Sequence, residues 1–581
     1  MKLLVRLLLI LCLISCETKK ERKIENIKTV FERSNGEETA TYLQTIDFYL
    51  QLAKEFPEIN IQIIGNTDSG YPLHIVTYNP DADFNFQKIA KDKSILLINN
   101  GIHPGESDGI DATMLLFRDL AMKNMASPKN TVVVTIPVYN VGGALNRNST
   151  TRVNQHGPKA YGFRGNAKNF DLNRDFIKSD TKNAHTFAKI FHLIKPDIFI
   201  DNHVSNGADY QYTLTHLFTQ HNKLGGELGN YLHKEMMPSL ENSLIQIGWD
   251  ITPYVNVFNQ VPEKGFSQFM DYPRYSTGYT TLWNTLGLMI ETHMLKPYKE
   301  RVEGVYTLMT KILDISEKDY KKIKELREHA FDGYLEKQNY PLQWAIDTSK
   351  TTTLEFKGYE ADEFNSEITG FPRLKYDRNR PFVKDVAYQN YYKPAHEVEI
   401  PKAYVIKKGF DKIIDLLTVN QIDFNILKED TSLVVESYKI DSFSTFQKPY
   451  EGHYPHYNTK VLSSIKKVNF TSGDIMVPTN QKGLRYLLET LEPEATDSFF
   501  NWNFFDAILQ QKEGFSPYVF EDLALEILQD DQEIKKQFYL KKKIDSTFSS
   551  DWHAQLNWIY MQSKYYEKAH LQYPIYRVLK D

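Results

Sequence analysis

The sequence predicts an α/β body whose mostly parallel or mixed twisted sheet is covered by helices on both faces, followed by a mixed α+β accessory region. Three observations predict it. Residues 95–98, 131–136, 196–200 and 286–290 are largely apolar runs of strand length, the pattern of strands buried on both faces. Segments with helical apolar spacing accompany them at residues 108–122, 180–194 and 301–315. Beyond about residue 340 the texture changes to short strand-like segments rich in Tyr, Phe and Pro.

In chain order, residues 42–56 place Tyr42, Ile46, Tyr49, Leu50 and Ala53 on one helix face, where the folded body begins. Residues 59–63 alternate as a strand, 66–70 supply turn residues and 71–78 alternate again, which predicts an early hairpin with His74 as a packed or surface residue. Asp180 is a candidate cap for a helix with the stripe Phe187, Ile190, Phe191 and Ile194. Residues 301–315 form the closing helix, and the body should end between residues 315 and 340. Residues 351–356 open the strand-like region, 409–417 read as a helix, and the chain from Trp502 onward reads mostly helical through Phe504, Ile508 and Leu509. There is no strong repeat, dinucleotide fingerprint, phosphate loop or G-x-S-x-G elbow.

A chain of 581 residues with 41% apolar content exceeds one core and predicts two or three packed units. With 69 basic and 74 acidic residues, the charge of −5 excludes a general pull toward nucleic acid. Lys541, Lys542 and Lys543 read as a solvated helix or turn face.

Lys2 and Arg6 precede an apolar run at residues 7–14, the basic start and short apolar core of an export signal, too short to span a bilayer. The ending Leu13-Ile14-Ser15-Cys16 resembles a bacterial lipoprotein processing box. That resemblance implies removal of residues 1–15, lipidation of Cys16, anchorage of an exported body to a lipid bilayer, and location in the cell envelope, on the periplasmic or the outer face. Residues 16–40 are then the lipidated terminus and a charged tether. The two cysteines, Cys12 and Cys16, both lie in this segment, so the mature body has neither a disulfide framework nor a thiolate zinc site. Any metal there is held by His, Asp or Glu.

Four groups can carry chemistry. His103-Pro104-Gly105-Glu106 follows a buried strand; an imidazole and a carboxylate three positions apart can turn toward one cation, although alone the pair also reads as a surface pair. His203, in Asp201-Asn202-His203, stands at another strand end, where open α/β sheets place their ligands. The three side chains make a two-nitrogen, one-carboxylate set with a fourth position open to water. His156, His216, His221 and His293 are rivals for the third ligand. Asp171-Leu172-Asn173-Arg174-Asp175 is either an exposed turn or a grip in which Arg174 forks a terminal carboxylate beside the Asn173 amide. Glu291 ends an apolar strand, a costly place for a carboxylate unless it faces solvent, a cation or a cleft.

In this order the groups resemble the zinc carboxypeptidase family of the carboxypeptidase A type, over roughly residues 41–320. The resemblance implies one catalytic Zn2+ held by His103, Glu106 and His203, with Asn173 and Arg174 on the substrate carboxylate and Glu291 as general base and acid. It further implies that Asp171 fixes the His103 ring and that Arg164 supports the oxyanion, with Arg147 and Arg152 as rivals. The family's substrate-closing tyrosine is not assigned among Tyr272, Tyr275 and Tyr279, and Asn140-Val141-Gly142-Gly143 departs from the usual N-P-D-G turn. The domain reading is 41–320 for the zinc peptidase body, 321–345 for a linker or packing extension, 346–500 for a strand-containing accessory region and 501–581 for a mostly helical region. The expected activity is removal of a C-terminal residue from a peptide. A murein-peptide amidase acting on cell-wall peptide is the alternative, and a zinc-retaining envelope binding module without turnover is a third reading. Asp175 and the segment around Arg274 are candidates for selecting a charged side chain. The sequence assigns no oligomeric state.

Overall fold

The computed structural model describes residues 27–580, so the expected export signal and the expected lipidation at Cys16 lie outside the described residues. Residues 27–40, expected within the tether, pack onto the body. A short helix Val30–Arg33 is closed by a Thr29/Glu32 capping box. Phe31 is buried edge-on against Tyr298, and Arg118 Nη1 donates to Glu32 Oε1 at 2.6 Å.

The body is a mixed sheet of eight strands flanked by helices. Its strands are β1 (Ile59–Asn66), β2 (Pro72–Tyr78), β3 (Ser94–Asn99), β4 (Thr131–Ile136), β5 (Ile198–Ser205), β6 (Leu214–Phe218), β7 (Ile251–Pro253) and β9 (Leu286–His293), in the order β1-β2-β4-β3-β5-β9-β6-β7. The strand β8 (Phe266–Ser267) pairs elsewhere. At the centre β4, β3, β5 and β9 run parallel, so their carboxyl ends share one edge. β3, β4 and β5 are buried along their whole length, which is why they read as apolar runs without alternation.

Three helices frame this sheet. α1 (Asp108–Ala121) starts directly after the site loop. α2 (Lys182–Ile194) is capped by Thr181, whose side chain accepts from the Ala184 N–H. Asp180, expected as that cap, instead accepts from Lys178 and Lys412. α3 (Tyr298–Leu335) has 38 residues, about 57 Å at 1.5 Å per residue, and runs well beyond the helix expected at 301–315. Its buried Arg301 donates to both oxygens of Asp108 at 2.9 and 3.3 Å and to four backbone carbonyls. The starts of α1 and α3 are thereby locked together behind the site. Leaving either charge unpaired there would cost roughly 3–5 kcal/mol.

Two of the later hairpins have longer strands than the short segments expected. β10 (Asn339–Ile346) pairs with β13 (Tyr392–Glu399), and β11 (Thr352–Asn365) with β12 (Pro372–Gln389), which β8 joins at Phe266. A six-stranded sheet contains β14 (Ala403–Ile406), β15 (Asn425–Ile426), β16 (Thr431–Thr445), β17 (His456–Phe470), β18 (Ile475–Pro478) and β19 (Gln572–Val578), in the order β15-β18-β14-β19-β16-β17. The hairpins β11–β12 and β16–β17 expose long stretches of both faces, so burial imposes little alternation on their sequences. Helices Pro517–Asp530, Gln532–Ile544 and Trp552–Gln562 carry a small core of their own. The principal core is continuous from Leu97 and Ile200 to Leu487, Phe499 and Trp502. Across that junction the buried Arg485 donates to the carbonyls of Thr281 and Lys223 at 2.9 and 2.8 Å and stacks over Tyr334.

Candidate metal centre

The loop after β3 is shaped before it presents any ligand. Gly101 takes φ +64°, a left-handed conformation that a side chain would strain. Gly105 serves by leaving space: a Cβ there would come within 2.6 Å of Arg152 Cδ. Asn140, from the segment that departs from N-P-D-G, caps Gly143 N at 2.8 Å and donates to the carbonyls of Ile102 and Arg164 at 3.2 and 2.9 Å. One amide thus braces the loops that carry His103 and Arg164.

The donor atoms of His103, Glu106 and His203 all lie within 4.8 Å of one another, and all three residues are buried. No other such group occurs among the described residues. His103 Nδ1 faces Glu106 Oε1 at 3.2 Å but has no hydrogen-bond partner, an exceptional state for a buried polar atom. His203 Nδ1 donates to Glu106 Oε2 at 3.0 Å, and Val204 N donates to the same oxygen at 3.0 Å. On the far side of each ring a carboxylate fixes Nε2: Asp171 Oδ1 for His103 and Asp201 Oδ2 for His203, both at 3.0 Å. A metal-binding histidine is characteristically held by its other nitrogen in this way. An unpartnered Nδ1 on His103, an Nδ1 on His203 that meets only the Glu106 carboxylate, and that carboxylate itself therefore fit a zinc ion.

The electrostatics agree with a cation site. Burial opposes ionisation of Glu106, but the fields of His103 and Arg152 and the hydrogen bond from His203 hold its carboxyl well below the usual range. Burial likewise opposes charge on Asp171 and is outweighed by His103, Arg164 and Arg174. His203 is held well above its ordinary value because Asp201 and Glu106 outweigh burial. Glu291 lies opposite His203 in the β5–β9 register. Burial, with the Glu106 and Asp201 carboxylates, pushes it up to about 8 against the opposing influence of His203 and Arg164.

The structure brings Arg164 and its rival Arg152 to the same carboxylate and removes Arg147. Arg152 Nη1 donates to Glu106 Oε1 at 2.9 Å and its Nε to Gln155. Arg164 Nε donates to Asp171 Oδ2 at 3.0 Å, and its side chain is 45% exposed against 18% for Arg152. Arg147 is spent on the carbonyls of Thr39, Ala40 and Ala160. Asn173 Oδ1 accepts from Ser276 N at 3.1 Å, while Arg174 Nη1 donates to Asn173 O at 2.7 Å and its guanidinium lies 4.7 Å over Tyr275.

The rival histidines are elsewhere engaged: His216 with Glu241, His293 with Asp209, and His221 stacked on His233; His156 contributes its carbonyl to Arg301. Asp175 accepts from Lys178, Asp180 N and Thr181, and Arg274 is paired with Asp497, so neither is free to select a substrate side chain. Two neighbours were not assigned from sequence. Asp201 follows from strand periodicity, since it sits two positions before His203 and so shares its face of β5. Tyr254, just after β7, lies within electrostatic reach of Glu291, Glu106 and Arg164, and burial raises its hydroxyl far above the ordinary value; no local pattern marks it.

No protein-family model matches the chain, and no curated protein matches it. Among solved structures, it is similar to a metallo-carboxypeptidase from Burkholderia cenocepacia, at 15% identity and a TM-score of 0.37, over 48% of this chain and 70% of that one. A carboxypeptidase A from Helicoverpa armigera aligns at 12% identity and a TM-score of 0.37, over 48% and 74% of the two chains.

Proposed function

We propose that the protein is a zinc-dependent metallocarboxypeptidase that releases the C-terminal residue of a peptide. The observation that carries this reading is the convergence of His103 Nδ1, Glu106 and His203 Nδ1, with each ring held from behind by an aspartate. When bound, zinc supplies Lewis acidity toward a peptide carbonyl and makes a water more acidic. The chain's own residues account for the rest of the chemistry. Glu291, ionised, takes a proton from the attacking water and returns it to the leaving nitrogen. Its elevated pKa suits a group that must serve as acid after serving as base. Arg164, the more exposed of the two arginines, offers its charge to the developing oxyanion. Asn173 and Arg174 receive the substrate carboxylate, with the Tyr275 ring orienting the guanidinium.

The test uses the zinc-loaded full chain with an unblocked peptide, its C-terminally amidated form and purified muropeptides. Release of one residue from the unblocked peptide alone supports the proposal. Cleavage of muropeptides alone would replace it with the amidase reading, and absence of turnover on all three would leave a zinc-retaining binding module. Glu291→Gln should lower turnover by roughly 100-fold or more while keeping the metal.

A further inference from the structure

The accessory region reaches the metal centre through the loop joining β16 to β17, residues 446–455. Glu451 Oε2 accepts the backbone N–H of Asp171 at 2.7 Å, one residue's length from the carboxylate that holds His103. Gly452 lies against Phe170, and a Cβ there would come within 2.8 Å of that ring. His453 Nε2 donates to Asp180 Oδ2 at 2.7 Å. Tyr450 stacks on Trp502 with ring centroids 6.1 Å apart, and Arg274, held by Asp497, lies over both rings. The loop is therefore pinned on several sides, and Tyr450 and Glu451 are fixed beside the Asn173–Arg174 segment.

The charges around this loop are unevenly matched. Lys178 is committed to Asp175 and Asp180 at 2.6 and 2.7 Å, Lys412 to Asp180 at 2.8 Å, and Arg274 to Asp497. Glu451 enters no ion pair among the described residues, and its Oε1 has no hydrogen-bond partner there; the nearest fields it feels are those of Asp171, Lys178 and Arg174. A half-buried carboxylate beside a guanidinium meant for a substrate carboxylate weakens that grip unless the substrate brings a compensating cation.

We propose that the Tyr450–Glu451 tip is the specificity wall of the substrate pocket, and that Glu451 selects a terminal residue with a cationic side chain over neutral or acidic ones. This rests on the carboxypeptidase reading. Tyr450 supplies a flat apolar flank for the methylene stem of such a side chain, and Glu451 meets its charged end.

The experiment compares kcat/KM of the zinc-loaded full chain on peptides that differ only in a final Lys, Arg, Leu or Glu. Lys and Arg should exceed Leu, and Glu should be poorest. Glu451→Gln keeps an acceptor for the Asp171 N–H, so zinc content and melting temperature should hold, while the Lys-to-Leu ratio falls on the order of tenfold, mainly through KM. Glu451→Asp should recover part of the ratio, which a merely structural role would not produce. Equal use of Lys and Leu by the wild type, or an unchanged ratio in Glu451→Gln, would overturn the assignment while leaving the peptidase reading intact. Failure of the wild type to release any terminal residue would overturn both.

Discussion

Replacing Asp201 by Asn isolates the support behind His203, one of the proposed zinc ligands. Asp201 is fully buried and faces three donors: His203 Nε2 at 3.0 Å and the Ser276 hydroxyl at 2.5 Å on Oδ2, and the Asn99 amide at 3.3 Å on Oδ1. Asparagine keeps the volume but exchanges one acceptor oxygen for an NH2 group. Whichever way its amide turns, a donor then meets a donor, either Asn99 or the His203–Ser276 pair. Against His203, the conflict is relieved by moving the ring proton to Nδ1, the atom the metal requires. Loss of such a carboxylate partner typically weakens metal binding 10- to 100-fold, about 1.4–2.7 kcal/mol. A buried unsatisfied donor adds roughly 1–3 kcal/mol of destabilisation. Chelator competition at fixed pH measures the first quantity and thermal melting in excess zinc the second. A folded Asp201→Asn protein with wild-type zinc affinity would refute the argument, because the orientation of His203 would then not depend on Asp201.

Zinc loading should be pH-dependent, since binding displaces the proton that Asp201 and Glu106 stabilise on His203: apparent affinity should rise by up to about tenfold per pH unit below that raised pKa, and a flat chelator-competition profile from pH 6 to 8 would contradict it. The metal-free protein should lose stability over the same direction of pH. Glu291 has a folded value near 8, above its ordinary 4.5, so its protonated form stabilises the fold fully below 4.5 and the contribution is lost as pH rises through 8. The slope approaches about 1.4 kcal/mol per pH unit in that window, and metal-free Glu291→Gln, followed by urea titration, should show a shallower decline. Cys16→Ser should abolish fatty-acid labelling of the cell-expressed protein, and labelling that persists would remove the lipoprotein assignment.

The candidate site was legible where its polar residues coincide with a strand end. His103 and His203 follow runs so apolar that their polar successors had to lie at the sheet's edge, and Glu291 stood out for the same reason. What places Glu291 opposite His203 is pairing between strands more than eighty residues apart, which no local pattern records. The choice between Arg152 and Arg164 was likewise undecidable from spacing, since both reach Glu106 through loops. Helix starts were blurred at residue 180, where Asp180 is by type the better cap but only Thr181 has the geometry. The accessory hairpins were misjudged in length because only part of each strand has a buried face, at Phe356, Val386 and Tyr388 and at Val435 and Phe470, and the exposed remainder prints no period on the sequence.

The placement of β19 has a consequence for how the protein comes into being. Residues 572–578 lie between β14 and β16, so the sheet that supports the β16–β17 loop stays split until the chain has been made through Val578. Pairing across such sequence distance is slow compared with forming the parallel centre of the body, whose strands lie closer together along the chain. The loops of the candidate metal site can therefore assemble early, while the proposed wall beside Arg174 arrives last. A nascent or C-terminally clipped chain would carry the candidate metal site without the finished β16–β17 loop, which makes integrity of residues 572–578 a checkpoint for the proposed substrate choice.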